Sequence, residues 1–395
     1  MPYLPHFPGD GTNQNGFMTI YIIVALAFLT HIGFAGSRLA VPLFAVDLNP
    51  SPFIVGTIVS LYAALPAVLA LPAGRMTDRL GFKIPMIAGT GAVLTALMLP
   101  FLWPALGTLY VSASLLGLGF MSLQLATQTL AGAIAGATDR ARNFSYLSLG
   151  FASANFTGPL LAGVLIDQVG HANTFLALAV PLVPAFIIAA LASRWVPNVH
   201  TKSQAVKSGA FELLRIKALR NTLIASGLIS SAWDVYQFFM PIYGRAHGLS
   251  ATAIGSIVSA FAIAVILVRL VLPWAVRRTG EAQTLTYAMF VACAAFCLFP
   301  FFQTPWPLAA VSFLLGVGCG CGQPLSMTMV FNASPKGRAG EATGMRITVN
   351  QVAHFIIPLV FGGLGSAVGF APVFLTNAGL MVVGGYLSKR NHPRS

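Results

Sequence analysis

A chain of 395 residues with 56% hydrophobic and 8% charged side chains lacks the polar surface that a soluble globule of this size needs. Its mean hydropathy of +0.81 excludes a water-soluble enzyme or binding domain. The net charge of +13 would suit a nucleic-acid partner, but the basic residues are spread along the chain as loop markers, which excludes that reading too.

Taken in order, residues 1–16 are polar and rich in Pro and Gly. They have neither a basic n-region nor a small-residue cleavage site, so they read as a tail and not as a signal peptide. Apolar spans follow near 17–45, 53–73, 84–103, 107–131, 144–166 and 173–195. Six more lie near 220–245, 251–275, 283–303, 306–331, 343–366 and 370–388. Residues 84–138 and 282–335 contain no Asp, Glu, Lys or Arg. With about 20 residues per crossing at about 1.5 Å each, both runs pass a bilayer twice. Only helices satisfy their own backbone there. The fold expected is therefore an all-α integral membrane protein. Its parts are a tail (1–16), a first six-helix bundle (17–195), a linker (196–219), a second bundle (220–388) and a tail (389–395). Within the linker, 211–219 is expected to lie in the interface with its apolar residues toward lipid.

Basic residues cluster after every second span, at Arg75/Arg79/Lys83, Arg140/Arg142, Lys202 to Arg220, Arg277/Arg278, Lys336/Arg338 and Lys389/Arg390/Arg394. The intervening loops hold Asp47, Asp167, His171 and Arg245 and little else. By the positive-inside rule both termini are expected in the cytoplasm. Cys293, Cys297, Cys319 and Cys321 all fall in apolar spans and read as small buried hydrophobes, not as disulfides or a zinc site.

The two halves are one unit repeated. At a single offset Pro42 meets Pro241, Gly56–Ser60 meets Gly255–Ser259, Gly81 meets Gly280 and Gln124 meets Gln323. In the same frame Leu115–Gly119 meets Leu314–Gly318, Pro159 meets Pro358, Gly163 meets Gly362 and Phe175 meets Phe374. Chance similarity of apolar sequence does not align polar, Pro and Gly positions without a gap.

Between the second and third spans stands Gly74-Arg75-Met76-Thr77-Asp78-Arg79-Leu80-Gly81-Phe82-Lys83, a polar knot of pattern G-x-x-x-D-R-x-G-x-K. It resembles the signature loop of the major facilitator superfamily, and the duplicated six-helix unit resembles that family's architecture along the whole chain. The resemblance implies two pseudo-symmetric bundles of six transmembrane helices with a substrate site between them. Gly74 permits close helix approach, Gly81 a tight turn, and Asp78 faces a neighbouring helix N-terminus. In the family that neighbour is the eleventh span, beginning here near Thr343-Gly344; Arg79, Arg142 and Glu341 are expected to complete the charge cluster, and Lys83 closes the gating loop. The equivalent stretch of the second half, Pro273–Gly280, has Arg277 where Asp78 sits, so the latch is one-sided.

The fifth span, Gly150-Phe-Ala-Ser-Ala-Asn-Phe-Thr-Gly158-Pro159-Leu-Leu-Ala-Gly163, is similar to the glycine-proline motif of members that export by proton exchange. Gly158 flattens the helix and Pro159 bends it. Where such antiporters carry an arginine in the fourth span this chain has Ala113, so either proton antiport is not its mode or the coupling group lies elsewhere.

Intramembrane ionisable groups mark function because a charge in hydrocarbon is costly unless paired or wet. Arg38 and Asp234 lie at similar depth on the first and seventh spans, and are expected to pair or to form two poles of one polar site. Burial favours the neutral acid of Asp234 and Arg38 favours its carboxylate, so its proton occupancy can follow conformation. Trp233, Tyr236 and Gln237 surround it with aromatic and hydrogen-bonding surface suited to a small ligand. Gln124 and Gln323 are further cavity candidates. Arg346, Asn350 and His354 form one helix face, toward either the cavity or a neighbouring helix. His31 reads as a core histidine or a proton relay, and Arg269 as a snorkelling or a substrate-binding cation.

The reading is a secondary-active transporter of the inner membrane, moving small organic molecules by alternating access, with proton-coupled efflux as the leading mode. The alternative is an organic-anion carrier. An intramembrane enzyme lacks HExxH, GxSxG or clustered carboxylates here, and a receptor lacks a soluble domain. The partners expected are a small-molecule substrate, protons and membrane lipid, with no metal, cofactor or nucleic acid, and the family's habit implies a monomer.

Overall fold

The computed structural model describes residues 12–48, 50–133, 140–192, 210–334 and 339–389. The described residues form twelve helical crossings. The first four are Thr12–Asp47, Pro52–Leu80, Lys83–Leu102 and Leu106–Ala133. The fifth and sixth begin as one helix, Arg140–Ala179, that breaks at Gly170 (φ 78°, ψ 172°). After a turn at 180–181 the sixth runs on as Leu182–Ala192. The second half repeats the plan with Lys217–Ala246, Ala251–Thr279 and Glu281–Leu298. The tenth crossing is Pro305–Gly320 and Gly322–Ala333 around a turn at Cys321, and the last two are Ala339–Val368 and Phe370–Lys389.

Ten stretches among the described residues are long and apolar enough to span a bilayer, and one of them, Ser145–Leu191, holds two crossings. The seventh helix falls outside that set because it buries Asn221, Thr222, Ser226, Ser230, Ser231 and Asp234. The most polar crossing is thus the one that carries the intramembrane carboxylate.

Helix ends differ from the sequence expectation where the chain turns tightly. The second helix continues to Leu80, so the polar knot is largely helical and only Gly81 and Phe82 lie outside a helix. Gly81 makes that economy possible with φ 75°, and Gly280 repeats it with φ 79° before the ninth helix. Gly81 is buried beside Phe82, and Lys83 opens the third helix. The side chains of Gly74, Asp78, Arg79, Arg142 and Glu341 lie outside the described residues.

In the linker, Ala210–Arg215 is a short 3-10 turn. Leu213 is buried with Leu219, Leu223, Val330 and Ala342, so this segment's described apolar residues face protein and not lipid as expected from sequence. Lone leucines at an interface are better covered by neighbouring helix ends than by headgroups.

The helix pairs that join the halves are the second with the eleventh, the fifth with the eighth and the first with the seventh. Their contacts obey the sequence repeat. A Cβ at Gly56 would meet the Pro358 carbonyl, and one at Gly255 would meet the Pro159 carbonyl. Likewise Gly163 abuts Ala251 and Gly362 abuts Pro52. Within each half Gly117 presses on the Tyr62 carbonyl and Gly316 on that of Phe261. Small residues at these points let backbones approach closely, which is how helices bind one another without a hydrophobic driving force.

Candidate functional site

The halves enclose a cavity of 460 Å³ lined by the first, fourth, fifth, seventh, eighth, tenth and eleventh helices. From the N-terminal half come His31, Phe34, Arg38, Phe120, Gln124, Phe151 and Asn155, and from the C-terminal half Ser230, Trp233, Arg269, Gln323 and His354. Its lining continues to Gln128 and Leu147, toward the face that carries the linker.

Asp234 lies just behind the lining, between the cavity residues Arg38 and His354. Its side chain is 3% exposed, and Arg38 Nη2 of the other half lies 3.6 Å from its Oδ1. Nδ1 of His354 is hydrogen-bonded to its Oδ2. The carboxylate therefore has one partner within its own half and one across the interface. A buried carboxylate survives when it is paired and hydrogen-bonded in this way.

Not every neighbour in sequence reaches the cavity. Trp233 lines it and meets Phe261 edge-on at 4.7 Å. Tyr236 is fully buried against the eighth helix, stacked on Phe261 at 4.6 Å, with its hydroxyl donating to the Ile257 carbonyl at 3.2 Å. Two steps along an α-helix rotate a side chain by about 200°, so Tyr236 points away from the side taken by Asp234. Gln237 is half-buried outside the cavity lining. The polar face of the eleventh helix divides: His354 reaches the cavity, while Asn350 accepts from Ser226 Oγ at 3.1 Å. Arg346 donates to Ser226 and Ser326 at 3.4 Å each, inside the C-terminal half. Gly158 packs on the first helix at Ile32 and Gly36, whereas the carbonyl of its neighbour Pro159 meets Gly255 across the halves. Ala113 is buried in the N-terminal core.

His31 is 6% exposed among Phe34, Phe120 and Phe151, and neither ring nitrogen has a hydrogen-bond partner among the described residues. Neighbouring Asn155 instead gives its Nδ2–H to the Phe151 carbonyl at 3.0 Å.

A second cluster, at the face opposite the linker, was not singled out by sequence reasoning. Asp47 at the end of the first helix accepts from Arg245 Nε at 2.8 Å and Nη2 at 2.7 Å, and bonds His171 Nε2 at 2.7 Å. Asp167 accepts from the backbone N–H groups of Ala251 at 3.0 Å and Thr252 at 2.7 Å, at the positive N-terminus of the eighth helix. Both carboxylates belong to the N-terminal half and their cross-partners to the C-terminal half. The signal was available: these are nearly the only charges on that side of the chain.

The Major Facilitator Superfamily model matches residues 23–358 and 222–395. Among curated relatives, the tetracycline resistance protein, class G, of Vibrio anguillarum is 27% identical over 331 residues, 79% of this chain and 80% of that one. The multidrug resistance protein MdtG of Salmonella arizonae is 28% identical over 105 residues, 27% of this chain and 26% of that one. A crystal structure of a POT family transporter in complex with 5-aminolevulinic acid superposes with TM-score 0.81 at 13% identity, covering 95% of this chain and 97% of that one. One of nucleoside transporter NupG gives 0.77 at 15% identity, covering 94% and 98%. With a duplicated twelve-helix fold and a cavity between its halves, this chain belongs to the Major Facilitator Superfamily and is a multi-pass membrane transporter.

Proposed function

We propose that the chain exports small organic molecules by alternating access in exchange for protons, with Asp234 as the proton-carrying group. The observation that carries this reading is the buried Asp234 carboxylate set between two cavity-lining groups, Arg38 of one half and His354 of its own. Movement of the halves changes the Arg38–Asp234 distance and leaves His354 where it is. Arg38 pairs with the carboxylate in the described arrangement, and its withdrawal would leave Asp234 with His354 alone. One group thus binds a proton in one conformation and releases it in the other.

Export is supported by the glycine-proline stretch of the fifth helix and by the drug-resistance names of the relatives. The basic loops support an inner-membrane topology with both termini and the linker face cytoplasmic. In that orientation the described structure, held together at its opposite face by Asp47 and Asp167, is the form closed to the outside. The protein acts as a monomer, since each chain contains both halves of the cavity.

Everted membrane vesicles with an imposed pH gradient test the reading. A transported compound should collapse the gradient in vesicles carrying the native chain and leave it standing with Asp234→Asn. Equal collapse in the variant would remove Asp234 from the coupling step.

A further inference from the structure

We infer that the substrate of this cavity is an aromatic organic anion, with its ring against Phe34, Phe120 and Phe151 and its anionic group on Arg269. The inference rests on the cavity being the transport site, as proposed above, and adds the class of molecule that fits it.

Charge accounting carries the first part. Four carboxylates have described side chains, and each is engaged elsewhere: Asp47 with Arg245 and His171, Asp167 with the eighth helix, Asp234 with Arg38 and His354, and Glu281 with Asn332. Arg269 lines the cavity, and its buried Nε has no hydrogen-bond partner among the described residues. An intramembrane guanidinium without a counter-charge is costly, and an anionic ligand supplies what the protein withholds. A carboxylate also matches the planar donor fork of arginine. With Arg38 offset by Asp234, the cavity keeps an excess positive charge that repels cationic compounds.

The opposite wall carries the second part. Phe34 and Phe120 stack with centroids 4.0 Å apart, and Phe151 meets Phe120 edge-on at 6.1 Å. These rings give an offset or edge-on seat for one more aromatic ring.

By helix rise of about 1.5 Å per residue, Arg269 lies about 27 Å from the helix ends at the opposite face and Phe34, Phe120 and Phe151 about 20–28 Å, so one ligand can span both walls. Arg38, Asp234 and His354 begin nearer that face, at about 14–21 Å.

Binding to the purified full chain in lipid nanodiscs, with no pH gradient, tests the assignment using 2-naphthoate and its neutral isostere 2-naphthamide. The expected result is at least about tenfold tighter binding of naphthoate, an advantage lost in Arg269→Gln and largely kept in Arg269→Lys. Phe120→Leu should weaken naphthoate and leave cyclohexanecarboxylate unchanged. Equal binding of the two naphthyl compounds, binding of neither, or a preference that survives Arg269→Gln would overturn it. Thermal unfolding of each variant identifies those that have lost the fold, and for such a variant Arg269→Lys against the native chain supplies the comparison. Because no proton gradient enters the measurement, this result stands apart from the Asp234→Asn test of coupling.

Discussion

Arg245 of the seventh helix holds the Asp47 carboxylate of the first helix with two parallel hydrogen bonds, 2.8 Å from Nε and 2.7 Å from Nη2, across the boundary between the halves. A fork of this kind fixes geometry as well as charge. The Arg245 side chain is 39% exposed, so screening reduces the pair to about 1 kcal/mol or less. That is still about a fivefold bias in a two-state equilibrium. Asp47→Asn should therefore favour the form open at this face. A cysteine introduced at Ser230, in a background with Cys319→Ser, should react up to about fivefold faster with an impermeant maleimide added from that side. An unchanged rate would mean that the Asp47 cluster does not hold the face closed.

Backbone contact closes the same face more firmly than charge. Gly56 meets the Pro358 carbonyl and Gly255 meets the Pro159 carbonyl, with no room for a Cβ at either point. Backbone atoms cannot step aside as side-chain ends do, so overpacking here costs roughly 1–3 kcal/mol. Gly56→Ala and Gly255→Ala should each raise maleimide access to the cavity and slow transport by about tenfold or more. Gly107→Ala is the matched control, because nothing lies within 4 Å of a Cβ placed there. If Gly107→Ala slows transport as much as Gly56→Ala, close approach of the halves is not the cause.

Much of this architecture was legible in the sequence because lipid leaves few options. Uncharged runs too long for one crossing, and one repeat frame linking Gly56 to Gly255 and Pro159 to Pro358, were enough for the duplicated bundle. The same frame anticipates the close contacts, since each glycine faces the other half's proline carbonyl. The Arg38–Asp234 meeting followed from depth along two helices. What stayed hidden was rotation about the helix axis: Tyr236 and Trp233 are near neighbours in sequence, yet one faces the eighth helix and the other the cavity. The frame held a clue, because Tyr236 corresponds to Ser37, which accepts a hydrogen bond from Tyr62 of the adjacent helix at 3.0 Å. His354 as partner of Asp234 was also illegible, because a helix with Pro358 inside it does not reveal in sequence its phase against a neighbour.

The separation of Trp233 from Tyr236 has a measurable consequence. Tyr236→Phe removes one hydrogen bond to the Ile257 carbonyl and should cost about 1 kcal/mol of stability. Apparent substrate affinity should hardly change. Trp233→Leu removes cavity wall and should raise KM several-fold with little loss of thermal stability. Counterflow kinetics and thermal unfolding of the two variants check the assignment, and a KM change confined to Tyr236→Phe would reverse it.

His354 stays with Asp234 when the halves move, because the seventh and eleventh helices belong to the same bundle. Arg38 does not. If Asp234 carries the proton as proposed, the two partners should have separable roles, His354 holding the carboxylate within its half and Arg38 following the movement of the other. His354→Asn keeps a hydrogen-bonding group near Asp234 Oδ2 but removes the titratable ring. Efflux driven by a pH gradient should fall by about tenfold or more in this variant, while exchange of substrate for substrate without a gradient should persist. Arg38→Gln should impair both, since the conformational cycle itself then loses its bias. Measuring gradient-driven efflux and counterflow side by side in liposomes distinguishes the two. Native gradient-driven efflux in His354→Asn would leave the hydrogen bond to Asp234 as a structural contact alone.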